Sequence, residues 1–428
     1  MKWRMRYLKM FVSALLLVTL SFVLWTSNQK KILRIGVYAG SSWDVPNSRE
    51  NRVLDNIIRQ FEKSHPNVKV VYESGIPKKD YDNWLAEKIL KGEQADVFMV
   101  PENDFSMLAA SGAFKSLDSL ISKEEAAAYY PVAYQAGLYQ EHSYALPIES
   151  NPIMMCVNKD LLEKEGISIP DSNWTLEDLY AICQKVTKDT NGDGLIDQYG
   201  ITDYTWKQAL VAYKGHLRNQ SGVNVDSVEM HQALSFISKL DSLNQRYKVT
   251  SNDFDEGKVA FYPMSLAQYR TYKPYPYHVA KYSRFSWTCI PMPAAKAGIP
   301  ATQVKTSLFA MSSKTKQDKL AWEFMKLLCQ NQKNQQELFA KSQGTSVLTS
   351  VVKSSQTKKI LQADDLGLDS LTSQRLDHMM KHSVLDISRD LDYHSLERLD
   401  YLLGNALKNN EIDSILPSIQ REMEETGK

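Results

Sequence analysis

The segment DTNGDGLIDQYG, residues 189–200, has the residue types and spacing of a calcium-binding loop. Carboxylate, amide and main-chain oxygens would come from Asp189, Asn191, Asp193, Leu195 and Asp197, and a glycine lies where such a loop turns sharply. The last position, where an EF-hand has a bidentate Glu, is a glycine, which argues against a calcium sensor. Two interpretations stay open: a structural calcium staple, or turns made by the Asx and Gly residues alone.

The bulk composition is that of a globular protein with two domains. The chain has 428 residues, of which 43% are hydrophobic, and 51 Lys and Arg balance 50 Asp and Glu. Because there is no basic excess, we expect no nucleic-acid partner. The four cysteines form no CxxC motif and stand among apolar neighbours, so we interpret them as small buried hydrophobic residues. We expect no required cofactor beyond the calcium alternative.

The first 31 residues form an export or anchor segment. Four basic residues within positions 2–9 precede the uncharged run Met10–Trp25. The basic flank should stay in the cytoplasm, which places the rest of the chain on the extracellular face of the cell membrane. The run is short for a membrane span, but Trp3 and Trp25 flank it as interfacial anchors. We favour a retained signal-anchor, with secretion after cleavage as the alternative.

Strands alternate with amphipathic helices through the first hundred residues after this segment. The apolar runs 32–38 and 95–100 are typical of buried strands, and 53–61 has apolar residues at helical spacing. This alternation predicts parallel βαβ units, in which ligands bind beyond the carboxyl ends of the strands. The polar and aromatic residues that follow the predicted strands are therefore candidates for a binding site: Trp43, Asp44, Glu102, Asn103 and Asp104. The alternatives are core packing for Trp43, and helix capping by Asn103 or Asp104.

Five motifs in order resemble the extracellular solute-binding proteins of sugar-type ABC importers, the family that includes maltose-binding protein. They are FEKSHPNVKVVYE, ADVFMV with LAASGAFKSLDSLI, YALPIESNPIMMCVNKDLLEKEGI, FDEGKVAF and SLFAMSSKTKQDKLAWEFMKLL. The resemblance covers the chain from about residue 32 to its end. It implies an α/β fold: a two-lobed, periplasmic-binding-protein-like clamshell with a hinge of crossing strands. The first lobe would comprise 32–145 and about 265–345, and the second 146–264 and about 346–428.

The resemblance also implies that the protein binds a ligand and catalyses no reaction. A carbohydrate, either a mono- or an oligosaccharide, would bind between the lobes, and the closed protein, a monomer, would deliver it to ABC permease subunits. The segment IESN places Glu149 and Asn151 at the lobe crossing. Asp203, Tyr204 and Trp206 resemble the acidic and aromatic cluster of the family's second lobe. A Gly-x-Trp motif that many members carry after the return strand is missing, and Tyr269 is the candidate to replace that Trp.

Two other functions stay open at this stage. A membrane-tethered sensor could use the same clamshell without feeding transport, and the absence of a lipid-attachment cysteine after the apolar run keeps this alternative open. A glycoside-active enzyme is the weaker alternative, because carboxylate pairs occur throughout the chain but no recognisable catalytic motif accompanies them.

Overall fold

The computed structural model describes residues 30–43, 50–73, 75–245, 247–272, 285–364, 370–409 and 411–426. Within these ranges, no helix is both long enough and apolar enough to cross a membrane. The predicted N-terminal segment and Asp44 lie outside the described residues.

The described chain is a mixture of short helices and strands. The strands are β1 (Lys31–Gly36), β2 (Val68–Tyr72), β3 (Val97–Val100), β4 (Leu138–Tyr139), β5 (His142–Ser143), β6 (Ala145–Asn158), β7 (Tyr199–Ile201), β8 (Arg218–Asn219), β9 (Gly222–Val223), β10 (Val259–Ser265), β11 (Trp287–Ile290), β12 (Thr302–Met311), β13 (Thr345–Ser346) and β14 (Ser383–Leu385).

The helices mostly follow the strands. They are α1 (Glu50–Ser64), α2 (Lys78–Leu90), α3 (Phe105–Ala110), α4 (Lys123–Ala127), α5 (Pro131–Ala136), α6 (Lys159–Lys164), α7 (Leu176–Val186), α8 (Trp206–Ala212), α9 (Val228–Ser242), α10 (Ser251–Asp255), α11 (Leu266–Tyr272), α12 (Asp318–Cys329), α13 (Gln332–Lys341), α14 (Thr349–Val352), α15 (Ser355–Asp364), α16 (Ser373–Lys381), α17 (Tyr393–Asn409) and α18 (Ile412–Thr426). Two 3₁₀ segments, Glu102–Asp104 and Ile387–Asp390, complete the set.

Ten of the described strands belong to one mixed sheet. Its order is β2-β1-β3-β12-β6-β10-β7, with β11 and β13 also on β6, and β14 on β12. The pairs β1/β2, β1/β3 and β7/β10 are parallel, as the alternation of strands and helices predicts. In contrast, β6 and β12 run antiparallel to each other, and their pairing shifts register between Ser307 and Leu308. These two long strands connect the two ends of the sheet.

Two hydrophobic cores flank the β6/β12 pair. The first-lobe core draws on residues 33–148 and 308–329, including Leu33, Phe98 and Phe324. The second-lobe core draws on residues 155–301 and 387–423. A third cluster, which includes Met154 and Met380, covers the remaining face of β6. Since β6 and β12 contribute to clusters on both sides, they are the hinge strands of a two-lobed molecule.

Two boundaries differ from the sequence prediction. Ile290 and Met292 pack in the second-lobe core, so the return to the first lobe occurs in β12 and not near residue 265. For the tail from Leu376 to Glu425, the sequence predicts an almost entirely helical segment, interrupted at Gly404 and Pro417. Instead, β14 pairs with β12, and both residues lie inside helices, α17 and α18.

A histidine clamp joins α9 to the final helix. His231 Nε2 lies 2.9 Å from Asp226 Oδ1, and His231 Nδ1 lies 3.0 Å from Asp413 Oδ1. Burial alone would lower the pKa of His231, but the hydrogen bonds and charges of the two aspartates raise it above its usual value. The folded state therefore favours the protonated ring.

This clamp predicts a pH dependence of stability. Its contribution should be fully present below the unfolded-state pKa of about 6.5 and lost as the pH rises through the higher folded-state pKa. Because all three side chains reach solvent, we expect a fall of less than about 1 kcal/mol in the free energy of unfolding. Urea denaturation between pH 6 and 8 measures it. His231→Ala should make the slope shallower by the amount that the clamp contributes, whereas His394→Ala, at an exposed histidine, should leave the slope unchanged.

Candidate functional site

Three predicted site residues lie together at the carboxyl end of β3. Glu102, Asn103 and Asp104 form a 3₁₀ turn after Pro101, and this turn contacts the 3₁₀ segment Ile387–Asp390 that follows β14. Neither Asn103 nor Asp104 caps a helix with its side chain, so the capping alternative is wrong. The three side chains are half-buried. The turn therefore presents polar groups where the two lobes meet.

Several charged side chains lie close enough to Glu102 to influence its ionisation. Burial raises its pKa to about 7, and the charge of Asp386 adds to the rise, while Lys305, Arg389 and Lys78 oppose it. Lys305 comes from the hinge strand β12, and Arg389 from the segment after β14. Carboxylate and cations from three elements thus converge, an arrangement suited to a neutral solute with many hydroxyl groups.

Asp104 has like-charged neighbours in both lobes. Burial raises its pKa to about 6, and the charges of Asp82 and Asp392 contribute to the rise. Asp82 lies on α2, whereas Asp392 immediately precedes α17 of the second lobe. The approach of the lobes at this point therefore brings carboxylates together.

Glu149 occupies the centre of the hinge on β6. It is buried, and its Oε1 accepts hydrogen bonds from the Gly344 N–H at 2.7 Å and from the Ser342 hydroxyl. Burial raises the pKa of Glu149 in spite of these bonds and of the nearby charge of Arg270. A Cβ added at Gly344 would lie 2.5 Å from Glu149 Oε1, so the close approach requires glycine. Glu149 thus holds the segment after α13 against the hinge.

Trp43, in the loop after β1, and Asn151, on β6, are both buried, but their settings differ. Trp43 is 8% exposed, and its indole N–H has no hydrogen-bond partner in the described structure, although it lies close enough to Glu149 to influence that carboxyl group. Asn151 Oδ1 accepts the Ala267 N–H at 2.9 Å and so fixes the start of α11. Trp43 therefore lies beside the Glu149 carboxyl group, whereas Asn151 holds the backbone at the start of α11.

The structure places Trp206 and Tyr204 in the second-lobe core rather than on an open surface. Trp206 is 5% exposed, and its Nε1 donates to Asp400 Oδ1 on α17 at 2.8 Å. Tyr204 packs edge-on against Phe236. The expectation that these aromatic rings stack on a ligand is not supported, because packing encloses both of them. Asp203 is exposed and has a positive φ of 54°, a backbone state that functional residues often adopt.

Tyr269 does not replace the missing tryptophan. Its side chain is fully buried in the third cluster, 5.3 Å from the Trp287 ring, and its hydroxyl lies 2.6 Å from Ser370 Oγ. A ring held there is covered by the protein itself.

The loop 189–200 is closed by its own hydrogen bonds. Asp189 accepts main-chain N–H groups from Gly192 at 2.6 Å and Gly194 at 2.7 Å, and these bonds lower its pKa. Asp197 accepts both the N–H and the hydroxyl of Thr190, each at 2.9 Å. Among the described residues, no cluster of three or more acidic, His or Cys side chains is arranged to hold a metal ion. Calcium binding stays a prediction from the sequence. The hydrogen bonds expected for turns made by Asx and Gly residues are present.

The sequence gives little indication of the cations at the site. Lys305 lies in the otherwise buried strand β12, and a lysine in such a strand is a usable signal. Arg270 donates to the Gly344 carbonyl at 2.8 Å and stacks over Phe339. Arg389 donates to the Ala136 carbonyl at 3.2 Å. Neither arginine stands in a motif that marks it, because each is recruited by tertiary packing.

The chain belongs to the bacterial extracellular solute-binding protein family, whose model matches residues 56–364. It is similar to the maltotriose-binding protein of Pyrococcus abyssi, with 24% identity over 138 residues, which are 32% of this chain and 30% of that protein.

Solved structures share the fold. The ABC substrate-binding protein of Listeria monocytogenes, in complex with cycloalternan, is 18% identical, with a TM-score of 0.64 over 93% of this chain and 99% of the other. The sugar-binding protein MalE of Xanthomonas citri is 16% identical, with a TM-score of 0.73 over 92% of this chain and 97% of that chain. The predicted two-lobed α/β fold is confirmed.

Proposed function

We propose that this protein is the extracellular binding component of an ABC importer, and that it holds a mono- or oligosaccharide between its lobes for delivery to the permease. The observation that carries the proposal is that the turn Glu102–Asp104 contacts both the hinge strand β12, which holds Lys305, and the segment Ile387–Asp390, which holds Arg389. Hydroxyl groups donate to carboxylates and accept from cations, so a carbohydrate satisfies both kinds of side chain.

The solute-binding family and the named relatives support this choice. The Pyrococcus protein is named for maltotriose, and the Listeria protein was solved with the oligosaccharide cycloalternan. The description of that neighbour as an ABC substrate-binding protein supports delivery to a permease. We further propose that the protein acts as a monomer without enzymatic activity, and that residues 1–31 tether it to the outer face of the membrane. Support for the tether comes from the basic and apolar pattern of that segment alone.

Isothermal titration of the purified full-length chain tests the proposal. We expect maltose, maltotriose, maltotetraose or a cyclic glucan to bind with a dissociation constant in the micromolar range or below, and to raise the melting temperature by mass action. Amino acids, short peptides and divalent metal ions form the comparison panel. Binding confined to that panel would refute a carbohydrate ligand. For the transport role, deletion of the gene should reduce cellular uptake of the sugar that binds.

A further inference from the structure

Two of the four cysteines face each other across the sheet. Cys156 on the hinge strand β6 pairs directly with Cys289 on the antiparallel strand β11. Both residues are fully buried, and their Sγ atoms lie 3.6 Å apart. Cys183 and Cys329, in contrast, belong to the second-lobe and first-lobe cores respectively.

The backbone geometry at this pair suits a covalent bond. The Cys289 N–H donates to the Ser370 carbonyl at 2.8 Å, away from β6, which makes Cys156 and Cys289 a non-hydrogen-bonded antiparallel pair. In such pairs the Cα atoms are about 4.5 Å apart and the side chains are at their closest. That separation lies within the range of about 4.4–6.8 Å found for disulfides. The sulfurs can therefore bond after a small side-chain rotation, without movement of the strands.

We propose that Cys156 and Cys289 form a cross-strand disulfide as the chain folds outside the cell. The oxidant is the disulfide of an extracytoplasmic thiol oxidoreductase. One cysteine, as its thiolate, attacks that disulfide and forms a mixed disulfide, and the other cysteine then displaces the enzyme thiolate. Two electrons pass to the oxidoreductase, which becomes a dithiol, while the two cysteines lose their protons. Because both residues are fully buried in the folded protein, the exchange precedes the closure of the third cluster.

The bond would fasten β11 to the strand that crosses between the lobes. Cys156 and Cys289 are 133 positions apart, so the loop closed by the bond contains β7, β10 and most of the second-lobe core. A loop of this length strongly restricts the unfolded chain, and the stabilisation should be near the upper end for a single disulfide. The remaining cysteines, Cys183 and Cys329, would stay reduced, and burial raises the pKa of both thiols well above their usual range.

Mass spectrometry of the full-length chain, exported from its cell without reductant and alkylated under denaturing conditions, tests the proposal. We expect a peptide pair linked through Cys156 and Cys289, two hydrogens lighter than the separate peptides, and alkylation of Cys183 and Cys329. Alkylation of all four cysteines, or a link to Cys183 or Cys329, would overturn it. This readout needs no variant and does not depend on finding the solute.

A melting experiment provides the second readout. Reductant should lower the melting temperature of the exported protein by roughly 5–10 °C. Cys183→Ala and Cys329→Ala should each keep this reductant-sensitive shift, whereas Cys156→Ala combined with Cys289→Ala should remove it. A shift that persists in the double variant, or its absence from the wild type, would contradict the disulfide.

Discussion

Trp206→Ala should lower the free energy of unfolding by about 3–5 kcal/mol, the range for removing a buried aromatic side chain. The indole is enclosed by the second-lobe core, and its N–H is bonded to Asp400, so the substitution leaves a cavity and removes this hydrogen bond. Urea denaturation monitored by circular dichroism measures the loss. Affinity for the carbohydrate should change much less, because the ring is only 5% exposed and packs within the second-lobe core.

Two further variants define what Trp206 contributes. Trp206→Phe keeps most of the packing and should cost less than the alanine variant, mainly through loss of the bond to Asp400. Tyr401→Ala, at a side chain that is 61% exposed and next to Asp400 on α17, should change stability by no more than about 0.5 kcal/mol. If Trp206→Ala left the stability unchanged but greatly weakened binding, Trp206 would be a ligand-binding residue and not a core residue.

Glu102→Ala should weaken binding of the carbohydrate by about 10- to 100-fold, the effect of losing one or two hydrogen bonds to a charged group. The pH dependence identifies the carboxylate as the cause. With a pKa of about 7 in the folded protein, Glu102 is largely protonated at pH 6 and ionised at pH 8. A hydroxyl donor prefers the ionised form, so affinity should rise over this interval, and Glu102→Gln should abolish the rise. Titration calorimetry at the two pH values measures both effects.

The stability of the ligand-free protein should change in the opposite direction. Because the folded-state pKa of Glu102 lies above its ordinary value of 4.5, its contribution to the free energy of unfolding falls as the pH rises from about 4.5 to 7. Glu163→Ala, at an exposed carboxylate on α6, is the matched control and should leave the affinity and its pH profile unchanged. An affinity that is independent of pH in the wild type would exclude a role for the Glu102 charge.

The local elements of the fold could be predicted because short-range signals determine them. Thr175 and Asp178 have the spacing of a capping box and form one at the start of α7, with the Asp178 N–H donating to Thr175 Oγ1 at 3.2 Å and the Thr175 N–H to Asp178 Oδ2 at 2.8 Å. β14 could not be found in the same way. Its three residues lie between helices, and only their pairing with β12 makes them a strand.

The candidate site was predicted in part for the same reason. Glu102 and Asn103 follow a predicted strand, and topology alone brings them to its carboxyl edge. Whether an aromatic ring faces a cleft or a core depends on which helix covers it. For Trp206 that helix is α17, almost two hundred residues later in the chain. No local pattern contains that information, so the sequence cannot distinguish the buried rings Tyr204, Trp206 and Tyr269 from rings that line a binding site.

The chain order of the two cores bears on how the protein is made. The first-lobe core needs residues 308–329, and the second needs residues 387–423, so neither can close around a nascent chain that stops at the first crossing strand. Contacts over such sequence separations form slowly. A polypeptide still emerging from the ribosome therefore remains without a finished lobe for most of its synthesis. During that interval the chain stays unfolded, which is the state that an export machinery can translocate. Binding of the solute then starts only after export, in the compartment where the solute is found.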